Sequence, residues 1–208
     1  MKNNLEKVLK VFSLMWLITG VGFLIGFIIP PLFMLPIGIL GLVILIVSYF
    51  TKRDSKLSKG LVLTVPFLLG ITSNLVFSFY MAELGAALFT ITVLTAVILF
   101  IVMGMFGYQY QKDLSWMGKI LFFALLGLIV FTVITIFTGA SHLILAIGAS
   151  VGVLIFLGFT MYDFNQIAQH GVPDDEVYHT AFGLYIDLLN LIYEMLKLVY
   201  HLKKLMED

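Results

Sequence analysis

The chain contains no cysteine, which excludes disulfides, thiolate nucleophiles and Cys-ligated zinc or iron–sulfur centres. Charge is also scarce. Asp, Glu, Lys and Arg make up 12% of the sequence, where a soluble domain carries about a quarter. The 12 basic and 12 acidic residues cancel, so there is no basic excess to attract a nucleic-acid partner. The histidines at 142, 170, 179 and 201 show no metal-ligand spacing, so neither a resident metal nor a cofactor is expected. Apolar residues fill the space instead: 61% of the chain is hydrophobic, mean hydropathy is +1.09, and there are 19 Phe and 18 Gly. This composition belongs to an all-α integral membrane protein whose first partner is the lipid bilayer.

A spanning helix needs about 20 mostly apolar residues, because the hydrocarbon core is ~30 Å thick and each residue rises ~1.5 Å. Seven such segments are predicted, at 11–29, 35–50, 61–79, 86–107, 116–137, 142–161 and 181–202. They make one polytopic domain over residues 1–208, with no second domain, low-complexity tract or internal repeat. The first segment follows Lys2, Lys7 and Lys10 as a signal peptide would. It is too long for a signal h-region and ends in no small-residue cleavage site, so it is read as a span. Pro30-Pro31 forces the first turn. Lysine and arginine collect before span one, after span two (Lys52, Arg53, Lys56, Lys59) and around the link between spans four and five (Lys112, Lys119). The links after spans one, three and five contain neither. The positive-inside rule then puts the N-terminus in the cytoplasm and, with seven spans, the C-terminus outside, although Lys203 and Lys204 run against the latter.

Two acids stand where a bilayer should exclude them. Asp163 closes span six within Tyr162-Asp163-Phe164-Asn165-Gln166, and Asp187 lies about 10 Å into span seven. A carboxylate at that depth must be paired, solvated or protonated, which makes both residues functional candidates. On span seven Asp187, Asn190, Glu194 and Lys197 fall within roughly 80° of one another, and His201 continues the face. Lipid cannot solvate such a face, so this helix is expected at the centre of a bundle. Glu194 and Lys197 can pair across one turn. Asp187 has no base three or four residues away; its partner is Asp163 or a base on another helix. Asp163, Gln166 and His170 share a face if helix six runs past Met161. Two carboxyls forced together hold one proton between them, and such a pair can act as a pH-dependent latch. Other polar positions have plainer readings. Thr72, Ser73, Asn74 and Ser78 suit helix packing, and the glycines at 20, 22, 104 and 107 suit close helix approach. The acidic run Asp174-Asp175-Glu176 reads as a solvated face or as cation attraction at a pore mouth.

The segments Tyr162-Asp163-Phe164-Asn165-Gln166-Ile167 and Tyr185-Ile186-Asp187-Leu188-Leu189-Asn190-Leu191, with Lys112-Asp113-Leu114-Ser115 and Met34-Leu35-Pro36, resemble the Bax inhibitor-1 family. This is also the transmembrane BAX inhibitor motif (TMBIM) family, and the chain resembles especially its bacterial YetJ-like members. The resemblance covers nearly the whole chain. It implies a seven-transmembrane-helix bundle with the last helix central, in a bacterial plasma membrane. It implies a pH-sensitive calcium leak channel and no enzyme, with calcium and protons as the species handled and Ca2+ a permeant ion. By the same resemblance Asp163 and Asp187 are the proton sensor and touch calcium only transiently, and Lys52, with Arg53 beside it, is the closed-state latch. Two departures stand out. The glutamate of those relatives early in helix two is Gly41 here, a place that the resemblance leaves for Glu194 to take from across the pore, and their latch arginine is Lys52. A lysine is a point charge without the bidentate fork of arginine. Glu194, Asn190, Asn165 and Lys197 are the candidate ion path.

Two rival functions fit the same residues. An intramembrane aspartyl protease would use Asp163 and Asp187 as a shared-proton dyad to activate water. However, Leu184-Tyr185-Ile186 precedes Asp187 in place of a glycine-bearing motif, and no Pro-Ala-Leu triplet occurs. A non-conducting regulator would bind a membrane protease or channel, docking within the bilayer or on the short links 51–60 and 168–180.

Overall fold

The structure, a computed structural model, describes residues 4–50 and 56–207. Seven helices follow one another: α1 Leu5–Gly26, α2 Met34–Phe50, α3 Lys56–Leu84, α4 Ala86–Gln109, α5 Ser115–Thr138, α6 His142–His170 and α7 Val177–Glu207. A single 3-10 turn, Pro31–Phe33, sits between α1 and α2 where the paired prolines stop the chain from continuing α1. Among the described residues there is no strand.

Five helices are long and apolar enough to cross a membrane: α1, residues 58–84 of α3, α4, α5 and α6. The expectation of seven spans is therefore met in five by length and composition. α2 has 17 residues, and α7 interrupts its apolar stretch with Asp187, Glu194 and Lys197. Helix ends also differ from the expected spans. α1 starts at Leu5, not at residue 11, because hydropathy marks the apolar stretch while its polar first turns are helical too. α6 continues to His170, since nothing in residues 162–170 breaks a helix. It stops at Gly171, which has φ of 67°, a left-handed conformation that glycine adopts without a Cβ clash, and Pro173 follows. The expected long link 162–180 thus shrinks to residues 171–176, and Asp187 lies about 15 Å into its helix rather than 10 Å.

The chain divides into two compact units, and α3 and α7 each contribute to both. The first is Met1–Phe79 with Gly171–Tyr185. Its centre is a reciprocal glycine contact: a Cβ on Gly22 of α1 would strike the Phe67 carbonyl, and a Cβ on Gly70 of α3 would strike the Thr19 carbonyl. Close backbone approach of this kind replaces the missing hydrophobic drive between helices in lipid. Polar groups close the same seam. Thr19 Oγ1 lies 2.8 Å from the Tyr185 hydroxyl and 3.2 Å from the Pro66 carbonyl, and Asn74 Nδ2 donates to the Phe23 carbonyl at 3.1 Å. At the start of α1, Asn4 Nδ2 donates to the Val172 carbonyl (2.8 Å) and to Asp174 (3.1 Å), and Lys7 pairs with Asp174 at 2.5 Å. Asp174 is therefore a tether for α1, a role that neither reading of the acidic run foresaw.

The second unit is Tyr80–His170 with Ile186–Asp208. Here α6 packs on both α4 and α5. Gly107 of α4 accommodates the Met161 carbonyl, Gly104 the Phe164 ring, Gly118 of α5 the Tyr162 ring and Gly148 of α6 the Phe131 ring. Large apolar side chains on α5 stand open, among them Phe123 at 69% and Phe137 at 84%. Water would leave such a face unsupported and lipid would cover it.

Candidate functional site

The candidate site is built on α6 and the α7 segment of the second unit. Between residues 184 and 196, α7 is buried round its circumference: Leu184, Leu191 and Leu196 are fully covered, and Leu188, Leu189 and Ile192 nearly so. The polar residues of the stripe are enclosed with them, Asp187 at 6% exposure and Glu194 at 7%. Asn190, between them, is half-buried.

α6 and α7 bring Asp163 and Asp187 within hydrogen-bonding reach of each other. Among the described residues no donor reaches Asp187 Oδ2. A buried carboxyl oxygen without a donor is costly, and two ionised carboxylates have none to exchange. A proton on either acid supplies the missing donor. The structure therefore juxtaposes the two acids that the sequence singled out. Lys52 and Arg53, the expected latch, lie outside the described residues.

Two turns further along α7, Glu194 Oε1 accepts from Lys197 Nζ, while Oε2 is buried and has no partner among the described residues. The Glu194 carboxyl occupies space left by Gly152 of α6, where a Cβ would come within 2.7 Å of it. This pairing of a large acid with a facing glycine is invisible at a sequence separation of that size.

Asn165, expected on the ion path, has a structural task. It is fully buried, its Oδ1 accepts the Leu114 N–H at 2.9 Å, and its Nδ2 lies 3.2, 3.0 and 3.1 Å from the carbonyls of Gly107, Tyr110 and Lys112. One amide thus satisfies the backbone of the α4–α5 link, where the chain leaves helix and its groups would otherwise be orphaned. These contacts give Asn165 a structural role in the α4–α5 link. Gln166 and His170 join the same link: Gln166 bonds Asp113 (3.2 Å) and Ser115 (3.0 Å), and His170 Nε2 lies 3.7 Å from Asp113. They share a face of α6, as its extension past Met161 requires, yet they serve Asp113 rather than Asp187. The Ser115 hydroxyl and amide, then Gln166 and His170, hold the Asp113 carboxyl below the usual carboxylate range.

The far ends of α6 and α7 carry a contact that sequence reasoning missed. His142 Nδ1 and His201 Nδ1 are 2.9 Å apart, with ring centroids at 5.1 Å. The two histidines are 59 residues apart, a spacing that gives no local signal in the sequence. Among the described residues there is no cluster of three metal-ligating side chains.

Comparison with known proteins adds the family. Residues 1–204 match the family described as "Inhibitor of apoptosis-promoting Bax1". The chain belongs to the Bax inhibitor-1 family. Its bacterial relatives include the inner membrane protein YbhL of Escherichia coli (strain K12), 29% identical over 184 residues, which are 84% of this chain and 73% of that protein. A protein of Caulobacter vibrioides is 32% identical over 173 residues, 78% of this chain and 67% of its own length. The plant protein LIFEGUARD 1 of Arabidopsis thaliana is 30% identical over 131 residues, 62% of this chain and 52% of its own. As a Bax inhibitor-1 protein with apolar helices of spanning length, the chain is an integral membrane protein with relatives in the bacterial inner membrane.

Proposed function

We propose that this Bax inhibitor-1 protein is a pH-sensitive calcium leak, gated by Asp163 and Asp187. The observation that carries the reading is the approach of two carboxyl groups from successive helices, Asp163 half-buried and Asp187 buried, the latter with an oxygen that no donor among the described residues reaches. With one proton between them, the two acids form an O–H···O bond that joins α6 to α7. Loss of that proton leaves two carboxylates that repel and whose oxygens are free to contact a passing cation. Calcium prefers six to eight oxygen ligands in a stable site. Two aspartates, Asn190, Glu194 and backbone carbonyls give a weaker and more transient set, which suits passage better than storage. Glu194, enclosed and with one oxygen unpartnered, supplies a carboxylate that the Gly41 position of α2 lacks.

One proton exchanged by the acid pair sets the scale: flux changes with pH on the side that reaches the aspartates by at most about tenfold per pH unit. Calcium flux into proteoliposomes over a pH series tests this. The wild-type chain is expected to show a pH-dependent flux, and Asp187→Asn, which cannot ionise, a flattened profile. An unchanged pH profile in Asp187→Asn would remove the acid pair from gating.

A further inference from the structure

The two helices joined by the acid pair are joined a second time. His142 is the first residue of α6, about 31 Å along that helix from Asp163 at ~1.5 Å per residue. His201 lies about 21 Å along α7 from Asp187. These separations are comparable with the ~30 Å depth of a hydrocarbon core. The imidazole contact at 2.9 Å therefore sits at the opposite end of the helix pair from the carboxyls. We propose that His142 and His201 form a second proton-binding site, whose double protonation parts α6 and α7 at that end and opens the corresponding mouth of the path.

The chemistry is that of two Nδ1 atoms facing each other. In the neutral pair one ring donates its Nδ1–H and the other accepts with its lone pair. A first added proton goes to the outward Nε2 of the donating ring and leaves the N–H···N bond in place. A second must occupy the accepting Nδ1. Two N–H groups then point at each other, the bond is gone and two cations repel. Among the described residues the surroundings give no compensation. On α7, the Lys197 ammonium adds positive charge near His201, and its partner Glu194 is already engaged by it. On α3, Tyr80 packs its ring on Tyr200, which in turn packs on both histidines, and Glu83 is taken by Lys204. Glu207 is taken by Lys203 and Lys204. Both rings are half-buried, so protons reach them without unfolding.

Resting on the leak reading above, the consequence is a path with a proton-binding pair at each end of α6 and α7, the carboxyls at one and the imidazoles at the other, so that each side of the membrane is read by its own groups.

The absence of cysteine allows a test that does not depend on flux. Spin labels at Ser141→Cys and Leu205→Cys, both exposed positions beside the pair, report the separation of the helix ends by pulsed electron paramagnetic resonance. Between pH 7.5 and pH 5.0 the distance distribution is expected to lengthen in the otherwise wild-type chain. It is expected to stay constant in His201→Gln, which keeps a polar side chain but cannot titrate. No lengthening in the wild type, or equal lengthening in His201→Gln, overturns the site. Uniformly oriented proteoliposomes supply the second arm. Acidifying the histidine side alone from pH 7.5 to 5.5 should raise calcium flux about threefold to tenfold, and His201→Gln should lose that response. Labels that move while no preparation passes calcium would sink the leak and leave the proton site standing. Labels that stay still sink the proton site whatever the flux.

Discussion

Replacing Asn165 by alanine deletes one side-chain amide and disturbs four backbone groups. The Leu114 N–H loses its acceptor, and the carbonyls of Gly107, Tyr110 and Lys112 lose a shared pair of donor hydrogens. Asn165 is fully enclosed, so water does not take over in the folded state. A buried donor left unmet costs about 1–3 kcal/mol, and each lost hydrogen bond about 1 kcal/mol net. Allowing the two amide hydrogens one good bond each, Asn165→Ala should destabilise by about 3–5 kcal/mol. For a chain of this size that corresponds to roughly 6–20 °C in thermal midpoint. Asn165→Asp separates the contributions. Its carboxylate still accepts from Leu114 but faces three carbonyl oxygens, so at neutral pH it should be at least as damaging as alanine. Acid should relieve it in part, because a protonated carboxyl regains one donor. Thermal unfolding of the detergent-solubilised protein at pH 7 and pH 4.5 measures both effects. A midpoint for Asn165→Ala within about 1 °C of wild type would refute the staple role. If calcium flux fell at the same time, Asn165 would return to the ion path where the sequence first placed it.

Lys197→Met should strand the Glu194 carboxylate and cost about 2 kcal/mol, less than the ~3–5 of a fully enclosed pair because the lysine reaches solvent. Glu194→Gln combined with Lys197→Met should recover most of that loss, and a double variant as unstable as the sum of the single changes would count against the pairing. Asp113 is held below the usual carboxylate range in the folded chain, so its hydrogen bonds contribute stability above its unfolded pKa of ~3.9 and lose it as pH falls through the folded value. The thermal midpoint of Asp113→Asn should therefore trail wild type at pH 7 and converge with it in strong acid; a gap that persists unchanged at pH 2.5 would show that Asp113 acts without its charge.

How far the site was legible varies by residue, for physical reasons. Asp163 and Asp187 announce themselves because a charge at bilayer depth has so few acceptable explanations. Glu194 with Lys197 is legible because helical periodicity places residues three apart together. Asn165 misleads. An amide beside an acid in a membrane segment looks like an ion ligand, and only the path of the α4–α5 link reveals three carbonyls and an amide waiting for it. Asp174 misleads similarly, since a run of acids in a short link carries no mark of the lysine and asparagine that α1 brings to it. His142 and His201 are silent, because nothing in a linear chain connects the first turn of α6 with the last turns of α7. The helix ends were misplaced for a related reason: apolar content locates the lipid-facing stretch, while hydrogen bonding carries a helix on through polar residues until a glycine such as Gly171 ends it.

By itself the sequence determined that this is a helical membrane protein of the Bax inhibitor-1 family, because apolar run length and an acid-bearing motif are local properties that need no partner to be read. Tertiary structure alone decided which polar groups meet: acid with acid, glutamate against glycine, imidazole against imidazole. Those contacts depend on how far one helix runs past another and on which face it turns, and both are set by packing along the full length of each pair of helices.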